Sequence, residues 1–431
     1  MTDRDAPNLN GDSELQPPKR ALAIIFLIVF TDLMGFGIII PALPFYVPKP
    51  QQHPILVTML FGVYSICQFI AAPILGMISD RMGRKPVLAF SQVGSAIGYF
   101  LLAYATRYTG GWLLGLVFIS RIIDGVTGGN ISTAQAYISD VTTPKNRAKG
   151  MGLLGAAFGI GFAAGPALGG LLGRYGLAWP GYAACFFSAI AALLTFMYLP
   201  ESRTHKPVDV EAWLHPKAFL PVLKRPVLVQ LLLVSFISMA AFVMMETTVG
   251  LFTNRIYGWN QRQLGEYFGY VGLIIVIIQG GLIGRLSKRL GEWPLAIAGP
   301  LLVTLGMAGY TYMGYHAVFG VLLLAGAVNA TGRSFQGPTL SSLVSQFSDP
   351  RDQGVTFGLY QGLSSLARAL GPIAAGLLYP FLHNTAQYVT AGAITAVGGV
   401  WMIALRAQAA RGAGASTPQD VTPAAVETPP G

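Results

Sequence analysis

Six charged side chains lie deep inside long apolar runs: Asp32, Arg121, Asp124, Glu246, Arg333 and Arg368. A charged group there carries a high cost unless it is paired, hydrated or neutralised, so each is a candidate for handling protons or a polar ligand. Asp32 stands about twelve residues into its run, roughly 18 Å along a helix axis. Arg121 stands at comparable depth and could reach it. Asp124 follows Arg121 by three residues, close enough on a helix to neutralise it locally. Asp32, Arg121 and Asp124 are therefore the candidates for proton coupling, and either acid could be the main carrier. A static ion pair would use the same residue types. Further along, Glu246, Arg333 and Arg368 accompany Asn329, Gln336 and Gln361, and together these six are the candidate wall of a substrate cavity.

The elements that carry these residues follow from composition. The 431 residues are 53% apolar and 11% charged, where a soluble protein carries about 25% charge. That composition argues against soluble enzymes and nucleic-acid binders. Twelve apolar stretches cover 21–46, 56–78, 87–106, 112–139, 149–173, 180–199, 227–253, 264–284, 294–314, 317–345, 355–381 and 386–405. They are called spans 1 to 12 below. Each is long enough to cross a bilayer as a helix, which satisfies its own backbone in lipid. The expected fold is an all-α integral membrane protein with twelve transmembrane helices.

The net charge of +10 has a topological explanation. With the N-terminus inside, twenty of the 28 Lys and Arg residues fall in inside segments and five in outside loops. That bias predicts both termini on the cytoplasmic face of a cell (inner) membrane. The polar segment 201–226 divides a six-helix half at 20–200 from a second at 227–408, and residues 1–19 and 409–431 read as disordered tails. Cys67, Cys185 and the five histidines show no ligand spacing, so no metal site and no cofactor are expected. No catalytic motif of an enzyme is found.

The halves repeat at a nearly constant offset. Pro144, Gly152, Gly165 and Pro166 recur as Pro350, Gly358, Gly371 and Pro372, 206 residues on. Gly76, Arg81, Gly83 and Pro86 recur as Gly284, Arg289, Gly291 and Pro294, 208 residues on. A six-helix duplication places a binding site between the halves near mid-membrane. In the second copy Lys288 stands where the first has Asp80, and Glu292 where it has Arg84. The second corner is therefore degenerate or electrostatically inverted.

Three motifs are specific. Between spans 2 and 3, Gly76, Asp80, Arg81, Gly83, Arg84 and Lys85 fit G-x-x-x-D-R-x-G-R-K-P, which ends at Pro86. Asp80 can face a helix N-terminus or an arginine there, and the three cations are expected at the headgroups. In span 4, Arg121, Gly125 and Gly129 fit R-x-x-x-G-x-x-x-G. In span 5, Gly152, Gly161, Gly165, Pro166, Gly169 and Gly170 allow a bend and close packing. These motifs resemble those of the major facilitator superfamily, and the segment around Asp32 resembles its 12-helix drug:proton antiporters, tetracycline-efflux pumps included. The likeness covers about 20–408 and is closest over Ser120–Gly170. It implies that the loop after span 2 gates the cytoplasmic side, that Arg121 serves proton coupling, and that span 5 carries an antiporter motif. One departure sets tetracycline itself in question: those pumps typically carry an acid in span 9, whereas 294–314 has no charge.

The expected function is a proton-coupled antiporter, without catalytic activity, that exports amphipathic small molecules by alternating access. Its expected partners are the bilayer, protons and the substrate, with no nucleic acid, and it is expected to work as a monomer powered by the proton gradient. A metabolite or sugar exporter, a uniporter and a non-transporting membrane receptor or scaffold are alternatives on the same fold. The excess of acids in the first half and of arginines in the second favours zwitterionic or weakly acidic compounds.

Overall fold

The computed structural model describes residues 19–142, 144–202, 220–349 and 353–414. Most of the two expected tails, most of the linker and Pro350 lie outside the described residues. Every long element is an α-helix. Nine segments are long and apolar enough to cross a membrane, and three further helices, Pro144–Gly173, Phe319–Gln346 and Gln353–Leu378, complete twelve.

Spans 1 to 3 are Lys19–Ile39, Pro54–Met82 and Arg84–Ala105. Span 1 stops before Pro41, and a short helix, Leu43–Tyr46, follows. Span 4 departs from the single helix expected from its apolar run. It comprises Gly110–Thr127 and Asn130–Val141, broken at Gly128–Gly129. The break is held from outside: Gln68 donates to the Gly128 carbonyl at 2.9 Å, and Ser91 donates to the Thr127 carbonyl. Carbonyls freed inside lipid need such donors. A Cβ on Gly129 would sit 2.8 Å from Ala72 Cα, so the glycine lets span 4 approach span 2.

Spans 5 and 6 are Pro144–Gly173 and Ala178–Tyr198, and span 7 is Pro226–Tyr257. Span 8 runs from Gln261 to Leu290 with one π-helical turn at Ile278–Leu282. Span 9 is Glu292–Met313, and span 12 is Ala386–Gly414. The last helix thus runs past residue 408, where the tail was expected to begin. Its end, ALRAQAARGAG, is rich in strong helix formers.

Within the first half, span 1 packs on spans 5 and 6, and span 3 on spans 4 and 6. The second half repeats this: span 7 packs on 11 and 12, and span 9 on 10 and 12. The halves meet along spans 5 and 8 and along spans 2 and 11. Gln51 donates to the Leu251 carbonyl at 2.6 Å, and Tyr379 donates to Gln51 at 3.1 Å. Gly170 packs directly on Gly265, with no room for a Cβ on either. Among the described residues, the hydrogen bonds and close glycine contacts that cross between halves lie near mid-depth or at the end away from the termini.

Candidate functional site

Span 5 positions the first part of the site. Gly161, Gly165 and Gly169 fall one turn apart on the face that meets span 1. A Cβ on Gly165 would be 2.7 Å from the Met34 carbonyl oxygen, and one on Gly161 3.0 Å from that of Phe30. Asp32 stands between those two contacts, so the glycine face sets the depth and rotation of its helix. Gly170 turns to span 8, and Pro166 lines a cavity shared with the second half. Gly152 lies in the same helix.

Asp32 is buried at 6% exposure. Its one hydrogen-bond donor among the described residues is Gln92 Nε2 at 3.4 Å, and it forms no ion pair. Asn130 stands beside it without reaching hydrogen-bond geometry. Arg121 does not pair with Asp32. Its Nη1 stands 3.2 Å from Asp124 Oδ2 on its own helix, and both side chains are almost completely buried. The guanidinium also faces the rings of Tyr99 at 5.5 Å and Tyr64 at 5.9 Å. The shorter reach within one helix turn explains the choice of Asp124. The arrangement leaves one paired cation and one carboxylate held by a neutral amide.

In the second half, Glu246, Asn329 and Arg333 line a cavity with the aromatic residues Phe242, Tyr267, Phe268 and Tyr310. The Arg333 guanidinium lies 4.8 Å from the Phe242 ring centroid, and its Nη2 donates to Met239 Sδ at 3.0 Å. Arg368 donates to Ser365 at 3.0 Å, and its charge is felt at Glu246, Arg333 and Tyr64. Gln336 is turned away from this cavity: its amide donates to Ser238 at 2.6 Å and ties span 10 to span 7. Gln361 is half-buried on span 11, seven residues before Arg368.

The loop after span 2 forms a separate charged corner. Gly83 adopts φ +100°, a conformation that glycine tolerates. Arg84 is buried, contrary to its expected place at the headgroups. It pairs with Asp80 at 2.7 Å and Asp140 at 3.1 Å and donates to Ser79 at 2.6 Å. Two nearby acids outweigh the pull of the interface on this side chain. Glu201, from the end of span 6, accepts from the backbone amides of Arg84 at 2.9 Å and Lys85 at 3.1 Å. Those are first-turn amides of span 3, where a carboxylate is favoured. Arg81 is exposed, Lys85 lies 5.9 Å from the Phe196 ring, and a Cβ on Gly76 would meet the Ser132 hydroxyl at 3.9 Å.

Sequence reasoning did not single out Gln92, Tyr64, Tyr99 or Glu201. A polar residue inside an apolar run marks Gln92. The two tyrosines resemble any aromatic residue of a membrane helix, and only helix rotation turns them to Arg121.

Two six-helix halves around buried charged groups define an integral membrane protein of the two-half transporter class. The family model described as Major Facilitator Superfamily matches residues 25–316, and the chain belongs to that superfamily. It is 32% identical over 403 residues to the class G tetracycline resistance protein of Vibrio anguillarum, covering 89% of this chain and 94% of that protein. It is 29% identical over 369 residues to the class H tetracycline resistance protein of Pasteurella multocida, covering 84% and 90%. The crystal structure of the human organic anion transporter MFSD10 superposes with a TM-score of 0.69 at 26% identity, over 90% of this chain and 100% of that one. The chain is thus a multi-pass membrane transporter of this superfamily, similar to tetracycline resistance proteins.

Proposed function

We propose that the protein is a proton-driven exporter of amphipathic small molecules, working by alternating access as an antiporter in the inner cell membrane, with both termini in the cytoplasm and no catalytic activity of its own. The observation that carries this reading is Asp32: a buried carboxylate near the paired Arg121 and Asp124, with no cation at ion-pair distance among the described residues. Charged, such a group carries a cost that hydration relieves. A cycle that exposes Asp32 to one side and then the other couples that cost to conformation. Gly161, Gly165 and Gly169 seal spans 1 and 5 together, so the proton route stays closed to continuous leakage. The aromatic cavity beside Pro166 suits a hydrophobic body with polar groups. The names of the tetracycline resistance relatives support export of a drug-like compound and a role in antibiotic resistance. The N-in, C-in topology rests on the distribution of Lys and Arg. On this topology, the hydrogen bonds and close glycine contacts between the halves lie, among the described residues, at the outer end or near mid-depth.

A drug-susceptibility panel tests the reading. Cells expressing the wild type are expected to tolerate at least one amphipathic class better than cells expressing Asp32→Asn, at equal membrane abundance. Equal tolerance by both proteins, together with unchanged pH-driven flux in proteoliposomes, would overturn it.

A further inference from the structure

Charge is unevenly matched between the halves. Arg121 has Asp124 at 3.2 Å and is enclosed. Arg333 and Arg368 have no carboxylate at ion-pair distance among the described residues. Glu246 is the acid whose charge reaches both, so two cations share one anion. Each guanidinium carries five N–H donors in a planar fork. Among the described residues few of them are used: Arg333 donates to Met239 Sδ, a weak acceptor, and Arg368 to Ser365 Oγ. The Phe242 ring stands 4.8 Å from the Arg333 guanidinium, a cation–π contact that holds it at the cavity wall. Arg333 lines the cavity, and Arg368 stands close enough to Glu246 and Arg333 to feel their charges; such cations in low-dielectric surroundings attract a further anion strongly.

The rest of the wall defines what that anion is attached to. Phe242, Tyr267 and Tyr310 line the cavity with Arg333. Tyr267 and Tyr310 are hydrogen-bonded to one another through their hydroxyls, which uses one of the two O–H donors and leaves one beside the rings. Flat aromatic surface beside planar guanidinium forks suits a planar ring system bearing a carboxylate or an ionised enol or phenol.

We propose that Arg333 and Arg368 form an anion subsite that receives the acidic group of an aromatic substrate, whose ring packs on the Phe242, Tyr267 and Tyr310 wall. The proposal rests on reading this cavity as the transport site. It deepens the export function by giving the cargo an acidic end, held by the second half while the first half handles the proton. Glu246 limits the excess positive charge to one, so the subsite selects compounds with a single acidic group over simple lipophilic cations.

Equilibrium binding to the purified full-length protein, without a pH gradient, tests this apart from proton coupling. The probes are 2-naphthoate, its neutral amide 2-naphthamide, and the cation 2-naphthylmethylammonium, which share one ring system. The wild type is expected to bind the acid about tenfold or more tighter than the amide, the scale of one charge-assisted contact, and to bind the cation most weakly. Arg333→Gln and Arg368→Gln should each remove most of that preference while amide binding stays level, which also reports intact folding. Arg333→Lys, which keeps the charge, should retain part of it. If a Gln variant fails to fold, the wild-type ranking of the three probes still decides. Equal binding of acid and amide, a preference for the cation, binding of none of the three, or equal loss of acid and amide in the folded Gln variants would overturn the subsite. Acid selectivity that persists while pH-driven transport is absent would unseat proton coupling and leave the subsite standing.

Discussion

Arg84 and Glu292 occupy corresponding places in the two halves, 208 residues apart, each directly after a positive-φ glycine. Arg84 sits in an ion-pair cage with Asp80 and Asp140. Glu292 accepts from the Ser342 hydroxyl and, at 2.6 Å, from the Gln346 amide. Gln346 itself stands 206 residues after Asp140, so a cation–carboxylate pair has become a carboxylate–amide hydrogen bond. The scaffold is duplicated and the charge is inverted. A pair of opposite charges is worth more than a hydrogen bond to one charge only when solvent is partly excluded, and Arg84 is 7% exposed. The first corner is therefore the stronger latch, and Glu201 adds a second hold on it that has no described equivalent at Glu292. Mid-membrane, the same contrast recurs: the first half closes its arginine onto an acid, whereas in the second Arg333 lines a cavity and neither it nor Arg368 has a carboxylate at ion-pair distance among the described residues.

The largest expected effect separates the repeat-related glycines Gly165 and Gly371. A Cβ on Gly165 meets backbone of span 1 at 2.7 Å, whereas one on Gly371 meets the Val243 side chain at 3.1 Å. Gly165→Ala should cost about 2–3 kcal/mol and most of the transport, Gly371→Ala about 1 kcal/mol or less. Thermal unfolding in detergent and flux in proteoliposomes measure both; equal losses would break the asymmetry. Next comes the corner itself. Arg84→Ala should destabilise the loop by about 1–2 kcal/mol, because its partners are about one-third exposed and partly screened. Glu292→Ala should cost about 0.5–1 kcal/mol. Comparable shifts in both variants would argue that inversion changed nothing.

A transplant sharpens the point. Arg84→Glu leaves three acids together, and adding Asp140→Gln recreates the pairing of the second half. The double variant should recover part of the turnover lost in the single one, as a double-mutant cycle would show. No recovery would mean that the corners are not interchangeable. The smallest effect is expected for Glu201→Gln. Amide exchange at Arg84 and Lys85 should quicken by several-fold, with transport only slowed. Unaltered exchange would remove Glu201 from the latch.

Run length and glycine spacing made the twelve helices legible, because spanning a bilayer allows few alternatives. The broken span 4 was not, since the break depends on Gln68 and Ser91, donors from other helices. The Arg121–Asp124 pair could be anticipated because both residues share one helix turn. Gln92 as the partner of Asp32, and Asp140 as a partner of Arg84, are set by helix rotation and packing across 60 and 56 residues of sequence. Gln336 shows the converse: a polar residue in an apolar run satisfied by Ser238 instead of facing the cavity.

The division of labour between the halves is tested most directly at Asp32. In proteoliposomes loaded with a compound to which the protein confers tolerance, two modes are compared for Asp32→Asn: exchange of labelled for unlabelled compound, and accumulation driven by a pH gradient. The predicted result is exchange near the wild-type rate with accumulation lost, because the second half still binds and the first no longer carries the proton. Accumulation by Asp32→Asn with the pH dependence of the wild type would contradict the account.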